Sequence, residues 1–458
     1  MSSDYFINML KLKKTQELFV KGNVMNISNQ ALKRKILSSS IIGNALEYYD
    51  FTLCGIFISI LAREFFYATD ATTSILWGFF AFSAAFWTRP LGAFVFGYIG
   101  DKFGRKVALT WSIVLMGIPT FIISVLPSYE SIGMLAPIIL ILCRMSQGLC
   151  TGGECNGVAI FTLEHLKTKP GFVGGIIAGS SGIGALLAMF MGFLMTQDFM
   201  PSWAWRISFA FGAIASIVGY IIRKNTVETL DFINVKNKAA SAPLVTVWRD
   251  NKQSFLLSIA LGLYMGVLAY TLLVFLNIYL SQYIGLTLSQ SIFYNIFGYT
   301  AYMLFCPIFG GFSDKISPVQ ALKFSGRLSL FAPFLVFSLL QINSGFSIIM
   351  GQILFGVIAA SSYGPIHYFL QTLFPTTNRY TGISIGFTIG LSLTAATTPP
   401  LLTYLLNTYS NLYIPAIYLS FCGALWLTVL GYLYPKIKTH YKMHKVGDTT
   451  DPAIAKAT

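Results

Sequence analysis

Apolar residues run along this chain in long blocks instead of alternating with polar ones. From about Leu37 onward, runs of roughly 20 apolar residues, the length at which a helix crosses a bilayer, follow one another with short polar breaks. Twelve such runs are readable, centred near Asp50, Ala85, Met116, Gln147, Gly184, Ile214, Val267, Tyr302, Phe331, Ala359, Leu393 and Ala424. The break between the sixth and the seventh, about Arg223 to Gln253, is the longest and most polar. The pattern predicts an all-α membrane protein of twelve transmembrane helices in two six-helix bundles. Its expected divisions are a cytoplasmic segment 1–36, a first bundle 37–222, a cytoplasmic linker 223–253, a second bundle 254–435 and a cytoplasmic tail 436–458.

Composition agrees with a lipid environment. The 458 residues are 55% hydrophobic and 10% charged, where a soluble domain carries about 25% charged residues. Residues 1–36 hold no apolar core followed by a small-residue cleavage site, so the first span is read as the targeting signal and stays in the protein. The net charge of +14 invites a nucleic-acid reading, but its distribution opposes one. With the N-terminus in the cytoplasm, only Arg63, Arg89, Arg144 and Arg206 of the 31 Lys and Arg fall outside cytoplasmic segments. The excess is a topology signal. Cys54, Cys143, Cys150, Cys155, Cys306 and Cys422 all lie in predicted spans without a CxxC spacing, and read as small packing residues. His165, His367, His440 and His444 make no metal-ligand spacing, so no metal and no cofactor is expected. With no nucleophile–base pair either, an enzyme is disfavoured.

The halves repeat one another. A shift of 208 positions lays Gly148 on Gly356, Gly174 on Gly382 and Gly182 on Gly390, and Arg144 on Gln352. A loop motif repeats as well: "GYIGDKFGRKV" over 97–107 and "GGFSDKISPV" over 310–319. In the first copy Gly97 and Gly104 permit a tight turn between helices. Lys102, Arg105 and Lys106 hold the loop on the cytoplasmic side. Asp101 can accept hydrogen bonds from a helix N-terminus or an Arg of the other half. The second copy keeps Asp314 and Lys315 but has Ser317 and Pro318 in place of the glycine and the Arg-Lys pair.

The first copy matches the loop signature G-x-x-x-D-[KR]-x-G-R-[KR] completely, and with twelve spans and a central loop the chain resembles the major facilitator superfamily. Within it, "GNALEYYDF", "RPLGAFVFGYIGDKFGRK", "RMSQGLCTGGE", "WAWRISF" and "LFPTTNRYTG", in that order, resemble the metabolite:proton symporter family, whose members include proline/betaine and dicarboxylate transporters. The resemblance covers about residues 38–435. It departs before "LFP", where the family has an acidic residue and this chain has Gln371 and Thr372. It implies a secondary transporter of the bacterial inner membrane with both termini cytoplasmic, moving a small molecule together with protons by rocking its bundles. The tail has no heptads, unlike the coiled-coil tail of osmosensing members. The chain is expected to act as a monomer, in lipid, with no nucleic-acid partner.

Charges inside the spans are the candidate chemistry, because a lone charge in hydrocarbon is costly. Glu47, Asp50 and Cys54 share one helix face; Arg144, Gln147, Gly148, Thr151 and Cys155 share another. Asp50 and Arg144 lie at similar depth and are expected to pair, Asp50 releasing Arg144 when it takes a proton; the alternative is a static bridge. Glu47 either relays the proton or bonds a neighbouring backbone. Glu154 reads as a packing or gate residue, Arg206 as an external gate or anchor and His367 as a packing histidine. Arg89, placed two turns from the cytoplasmic end of its span, either snorkels to the surface or meets an anionic group.

From Asp250 to Asp448 the one acidic residue is Asp314, in a loop, so carboxylate proton chemistry is expected in the first half. For substrate contact the residues proposed are Arg144, Gln147, Arg89, Tyr48, Tyr49, Tyr264, Tyr299 and Tyr363. One cation plus aromatic rings suits a zwitterion such as proline or glycine betaine. A small organic acid such as a dicarboxylate is the alternative, and a receptor that binds without transporting is the alternative of another class.

Overall fold

The computed structural model describes residues 30–67, 71–197, 199–224, 226–235 and 243–445. Twelve long helices follow in order. The first six are α1 (Gln30–Ile56, continued after a turn at Phe57 by Ile58–Phe65), α2 (Ala71–Lys102), α3 (Arg105–Val125), α4 (Leu135–His165), α5 (Pro170–Met195) and α6 (Trp205–Lys224). The second six are α7 (Lys252–Tyr270, a π-turn Thr271–Phe275, then Leu276–Gln282), α8 (Leu288–Ile316), α9 (Pro318–Gln341), α10 (Gly345–Leu373), α11 (Arg379–Tyr409) and α12 (Ile414–Lys445). Each of the twelve centres read from the sequence lies in its own helix. The helices α3 to α12 are by length and composition able to cross a membrane. Only helices and closed barrels satisfy every backbone polar group in lipid, which is why the apolar runs take this form.

The packing repeats between halves. In the first bundle α1 packs on α5 and α2 on α4; in the second α7 packs on α11 and α8 on α10. The bundles meet through α2 against α11 and α5 against α8, which is the same pairing with the halves exchanged. Large apolar side chains such as Trp87, Phe331, Phe346 and Phe421 remain exposed, as lipid-facing residues do. Inside, small residues let backbones touch. A Cβ on Gly152 would collide with the Arg89 carbonyl of α2, and one on Gly171 with the Gly310 carbonyl of α8.

Three boundaries differ from those expected. The linker expected over 223–253 begins inside α6, where Arg223 is buried, and it carries short helices at Leu230–Val235 and Pro243–Asp250. Residues 236–242 lie outside the described residues. The tail, expected to begin at Lys436 after the last span, instead continues α12 as far as Lys445, and 446–458 lie outside the described residues. Of the segment 1–36, residues from Gln30 onward already belong to α1.

Candidate functional site

Two sets of side chains sit where the bundles meet. The first closes one end of the molecule, the end carrying the repeated loop motif. Both carboxylate oxygens of Asp101 accept backbone N–H groups at the start of α11, from Tyr380 at 3.2 Å and Thr381 at 2.8 Å. The N-terminal N–H groups of a helix lack intrahelical partners and carry its positive dipole end, so a carboxylate there is well placed. Asp314 does the same for α5, accepting from Gly171 at 2.7 Å and Phe172 at 2.9 Å. The loop backbones match too: Gly104 has φ 120° and Ser317 has φ 90°.

Arg105 is buried, not displayed at the surface. It pairs with Asp101 and with Glu164, each at 3.3 Å, and donates to the Thr376 carbonyl of the second half at 2.8 Å. Glu164 also receives Arg379 of α11 at 3.2 Å. Gly97 lies against the backbone of Thr381. Lys102 stays exposed, bonded to the Tyr98 hydroxyl.

Glu228, in the connection after α6, was not anticipated. Its carboxylate accepts the backbone N–H groups of Arg105 at 3.2 Å and Lys106 at 3.1 Å, capping α3. Burial raises its pKa above the ordinary 4.5, opposed by the N–H groups of Thr229 and Lys106 and by Arg105.

The second set surrounds a cavity about midway along the helices. Glu47, Tyr48, Arg89, Thr151, Cys155 and Asn156 line it from the first bundle, and Phe387, Thr388 and Leu391 from the second. It is closed down to room for roughly one water molecule. Arg89 donates Nε to Thr151 at 3.1 Å and Nη1 to the Tyr270 hydroxyl of α7 at 3.2 Å. Its guanidinium lies over Phe51, 4.4 Å from the ring centre. It lies farther than the expected two turns from the end of its helix. The helix runs on for 13 residues beyond it to Lys102, about 20 Å at 1.5 Å per residue. Glu47 leaves its Oε2 without a hydrogen-bond partner.

Asp50 and Arg144 are not in direct contact. Asp50 Oδ2 accepts from Thr120 at 2.8 Å, Thr120 accepts from Gln147 Nε2 at 2.8 Å, and Gln147 Oε1 accepts Arg144 Nη1 at 2.6 Å. The expected pair is thus a four-residue chain through α3. Arg144 Nε and Nη2 make no hydrogen bond, and the guanidinium faces the Phe51 and Phe82 rings at 5.4 and 5.6 Å. Phe51 therefore stands between the two cations.

The tyrosines divide. Tyr48 reaches Cys155 Sγ at 3.8 Å in the cavity. Tyr363 donates to the Met265 carbonyl at 3.1 Å and stands edge-on to Tyr302, which in turn meets Tyr299. Tyr49 and Tyr264 do not reach the cavity. Tyr49 donates to the Ser208 carbonyl at 2.9 Å inside the first bundle. Tyr264 bonds Ser329 at 2.7 Å and stacks on Trp426 inside the second. Tyr270, which meets Arg89, was not among the residues proposed for substrate contact; it stands just before a π-turn, a feature common at functional sites that only the structure shows. His367 backs onto Gly174 of α5. At the other end of the molecule Arg206 pairs with Glu64 at 2.9 Å and donates to the Leu126 carbonyl at 2.6 Å.

Comparison with known proteins places these features in context. The Major Facilitator Superfamily profile matches residues 40–399. The chain is 32% identical over 437 residues to the proline/betaine transporter of Salmonella typhimurium, covering 92% of this chain and 86% of that one. It is 29% identical over 435 residues to the glycine betaine/proline/ectoine/pipecolic acid transporter OusA of Dickeya dadantii, covering 91% and 86%. Among solved structures it is similar to the proton:xylose symporter XylE bound to 6-bromo-6-deoxy-D-glucose, with a TM-score of 0.74 and 14% identity over 89% of this chain and 96% of that one, a likeness of fold alone.

Proposed function

Because this chain belongs to the Major Facilitator Superfamily, we propose that it imports a small zwitterionic solute, of the proline or glycine betaine type, together with protons. The observation that carries this reading is a cavity between the bundles lined by one carboxylate and one guanidinium, Glu47 and Arg89. A zwitterion is complementary to that pair. Its carboxylate takes the Arg89 donors now held by Thr151 and Tyr270, and its ammonium faces Glu47 and the Tyr48 ring. Cation–π contacts of about 0.5 to 2 kcal/mol add to this. A dicarboxylate would place a second negative charge beside Glu47 with no second cation lining the cavity. The names of the relatives support the same substrate class.

The geometry supports a reading of the rest of the cycle. The basic excess supports the reading that the motif end, and both termini, face the cytoplasm of a bacterial inner-membrane protein. The Asp101 and Asp314 caps hold that side shut in this conformation. Units of about 37–222 and 254–435, joined by the connection over 223–253, rock against each other. Glu47 and Asp50 receive the proton, each having a buried carboxylate oxygen without a partner, and Asp50 communicates with Arg144 through Thr120 and Gln147. The protein acts as a monomer. Uptake of labelled proline into vesicles with an imposed pH gradient tests the reading. Excess betaine should suppress it and excess 2-oxoglutarate should not; the reverse pattern hands the case to the organic-acid alternative, and binding without accumulation to a receptor.

A further inference from the structure

A second buried ion pair lies off the cavity, inside the first bundle. Arg223 of α6 meets Glu154 of α4 at 2.6 Å and donates to the Leu109 carbonyl at 2.8 Å. Ser112 donates to the other Glu154 oxygen at 2.9 Å. The guanidinium lies flat on α1 at Gly43, where a Cβ would collide with it, one helical turn from Glu47. Glu154 stands between two small cavities. Its neighbours on α4, Thr151 and Cys155, line the central cavity with Glu47. On the far side, Arg223 lines a small cavity toward the cytoplasmic end with Ser39, Ser40, Lys106 and Thr226 beside the apolar Leu109, Val158 and Phe161.

We propose that Glu154 is the inner proton station of the transporter and that Arg223 is the charge that keeps it shut. The proposal rests on the proton-coupled reading above. In the cycle, protonated Glu47 gives its proton to the Glu154 carboxylate, which leaves Arg223. Glu154 then loses the proton to water on the cytoplasmic side and pairs with Arg223 again. No proton is gained or lost between those steps. An unpaired guanidinium in a dry bundle is strongly disfavoured, so the proton does not rest on Glu154. Its positive charge also repels a proton arriving while the pair is intact. The charged and titratable groups facing Glu154 are Arg223 of α6, Glu47 of α1, Cys150 and Cys155 of its own helix and Tyr380 of α11, with Lys106 of α3 across the second cavity.

The test needs no substrate. Liposomes holding the purified protein and a pH-sensitive dye are given a pH gradient, with potassium and valinomycin clamping the potential. Arg223→Gln should dissipate the gradient at least about tenfold faster than wild type, since the counter-charge that draws Glu154 back into its pair is gone. Arg223→Lys should hold it. The double variant Glu154→Gln/Arg223→Gln should hold it too, because the station is gone. If Arg223→Gln does not fold, Gly43→Ala displaces the guanidinium without changing charge and should leak in the same Glu154-dependent way. A folded Arg223→Gln or Gly43→Ala that holds the gradient overturns the proposal, as does a double variant that leaks like the single. Wild-type vesicles that accumulate no solute on a pH gradient would refute the coupling reading separately, since the leak assay does not depend on it.

Discussion

Replacing Asp101 by Asn tests whether the motif loop is the bolt on the cytoplasmic side. The carboxylate accepts two N–H groups from α11, at 2.8 and 3.2 Å, and lies 3.3 Å from Arg105. Hydrogen bonds to a charged group contribute about 1.5 to 3 kcal/mol each. Asn keeps one acceptor oxygen, so one bond survives as a neutral one, while its amide N–H₂ opposes the other backbone N–H. Arg105 is not orphaned, because Glu164 and the Thr376 carbonyl still hold it. The net loss is therefore about one charged bond, roughly 2 to 3 kcal/mol, and the open form at that end should rise about 30- to 150-fold. Cys155, which lines the cavity, reports the opening. In a background with Cys54, Cys143, Cys150, Cys306 and Cys422 changed to Ala, an impermeant maleimide added to the cytoplasmic face should alkylate it faster by that factor. A rate unchanged in a folded Asp101→Asn protein would refute the reasoning, and so would faster labelling from the outer face alone.

Other expectations can be checked more briefly. Ser317 holds φ 90° and ψ 147°, where its counterpart is Gly104, so Ser317→Gly should stabilise the protein by about 0.5 to 1 kcal/mol despite losing a long cap to Gln320, and a lower melting temperature would contradict this. Tyr264→Phe removes hydrogen bonding within the second bundle and should lower stability by about 1 kcal/mol with KM for proline unchanged, whereas Tyr48→Leu, which removes the ring facing the ammonium, should raise KM several-fold; equal KM effects would erase the distinction drawn between them. Glu228 has its folded pKa above the unfolded 4.5, so the native state holds the extra proton between those values and stability falls as pH rises through that window. Glu228→Gln should remove that slope, measured as melting temperature against pH, and a slope persisting in the variant would remove Glu228 as its source.

How much of this was legible in the sequence depended on whether the deciding physics was local. Asp101 was readable because a glycine-flanked Asp at the end of an apolar run has few places to go except a helix terminus nearby. Which helix, and that Asp314 repeats the contact on α5, needed the fold. The tyrosines were harder. These helices are apolar nearly all round, so periodicity gives the spacing of side chains but not which side faces the cavity. Tyr48 and Tyr49 are neighbours in sequence, yet one lines the cavity and the other donates into its own bundle. Arg144 and Asp50 were expected to pair from depth alone, but depth fixes only one coordinate, and α3 inserts Thr120 between them. Glu228 had no local signature at all: a single Glu in a polar connection becomes a cap only once α3 is beside it.

Structural symmetry and chemical asymmetry pull apart in this molecule, and the charge balance bears on the substrate. The two gate caps are related by exchanging the halves, so the motion that opens one end must break both. The buried charges are not so related. Among the described residues they are Glu47, Asp50, Asp101, Glu154 and Glu164 against Arg89, Arg105, Arg144, Arg223 and Arg379. Arg379 alone comes from the second half, and it reaches across to Glu164 at 3.2 Å. The closed molecule is thus balanced, which a low-dielectric interior favours, since an uncompensated buried charge is expensive. A zwitterion enters without disturbing that balance, so the only net charge loaded is the proton. A dicarboxylate would unbalance it twice over unless two further protons came with it. Zwitterion import should therefore carry net positive current inward with each solute in reconstituted membranes. Electroneutral accumulation would break this argument at its premise that the solute is neutral and the proton is the one charge moved.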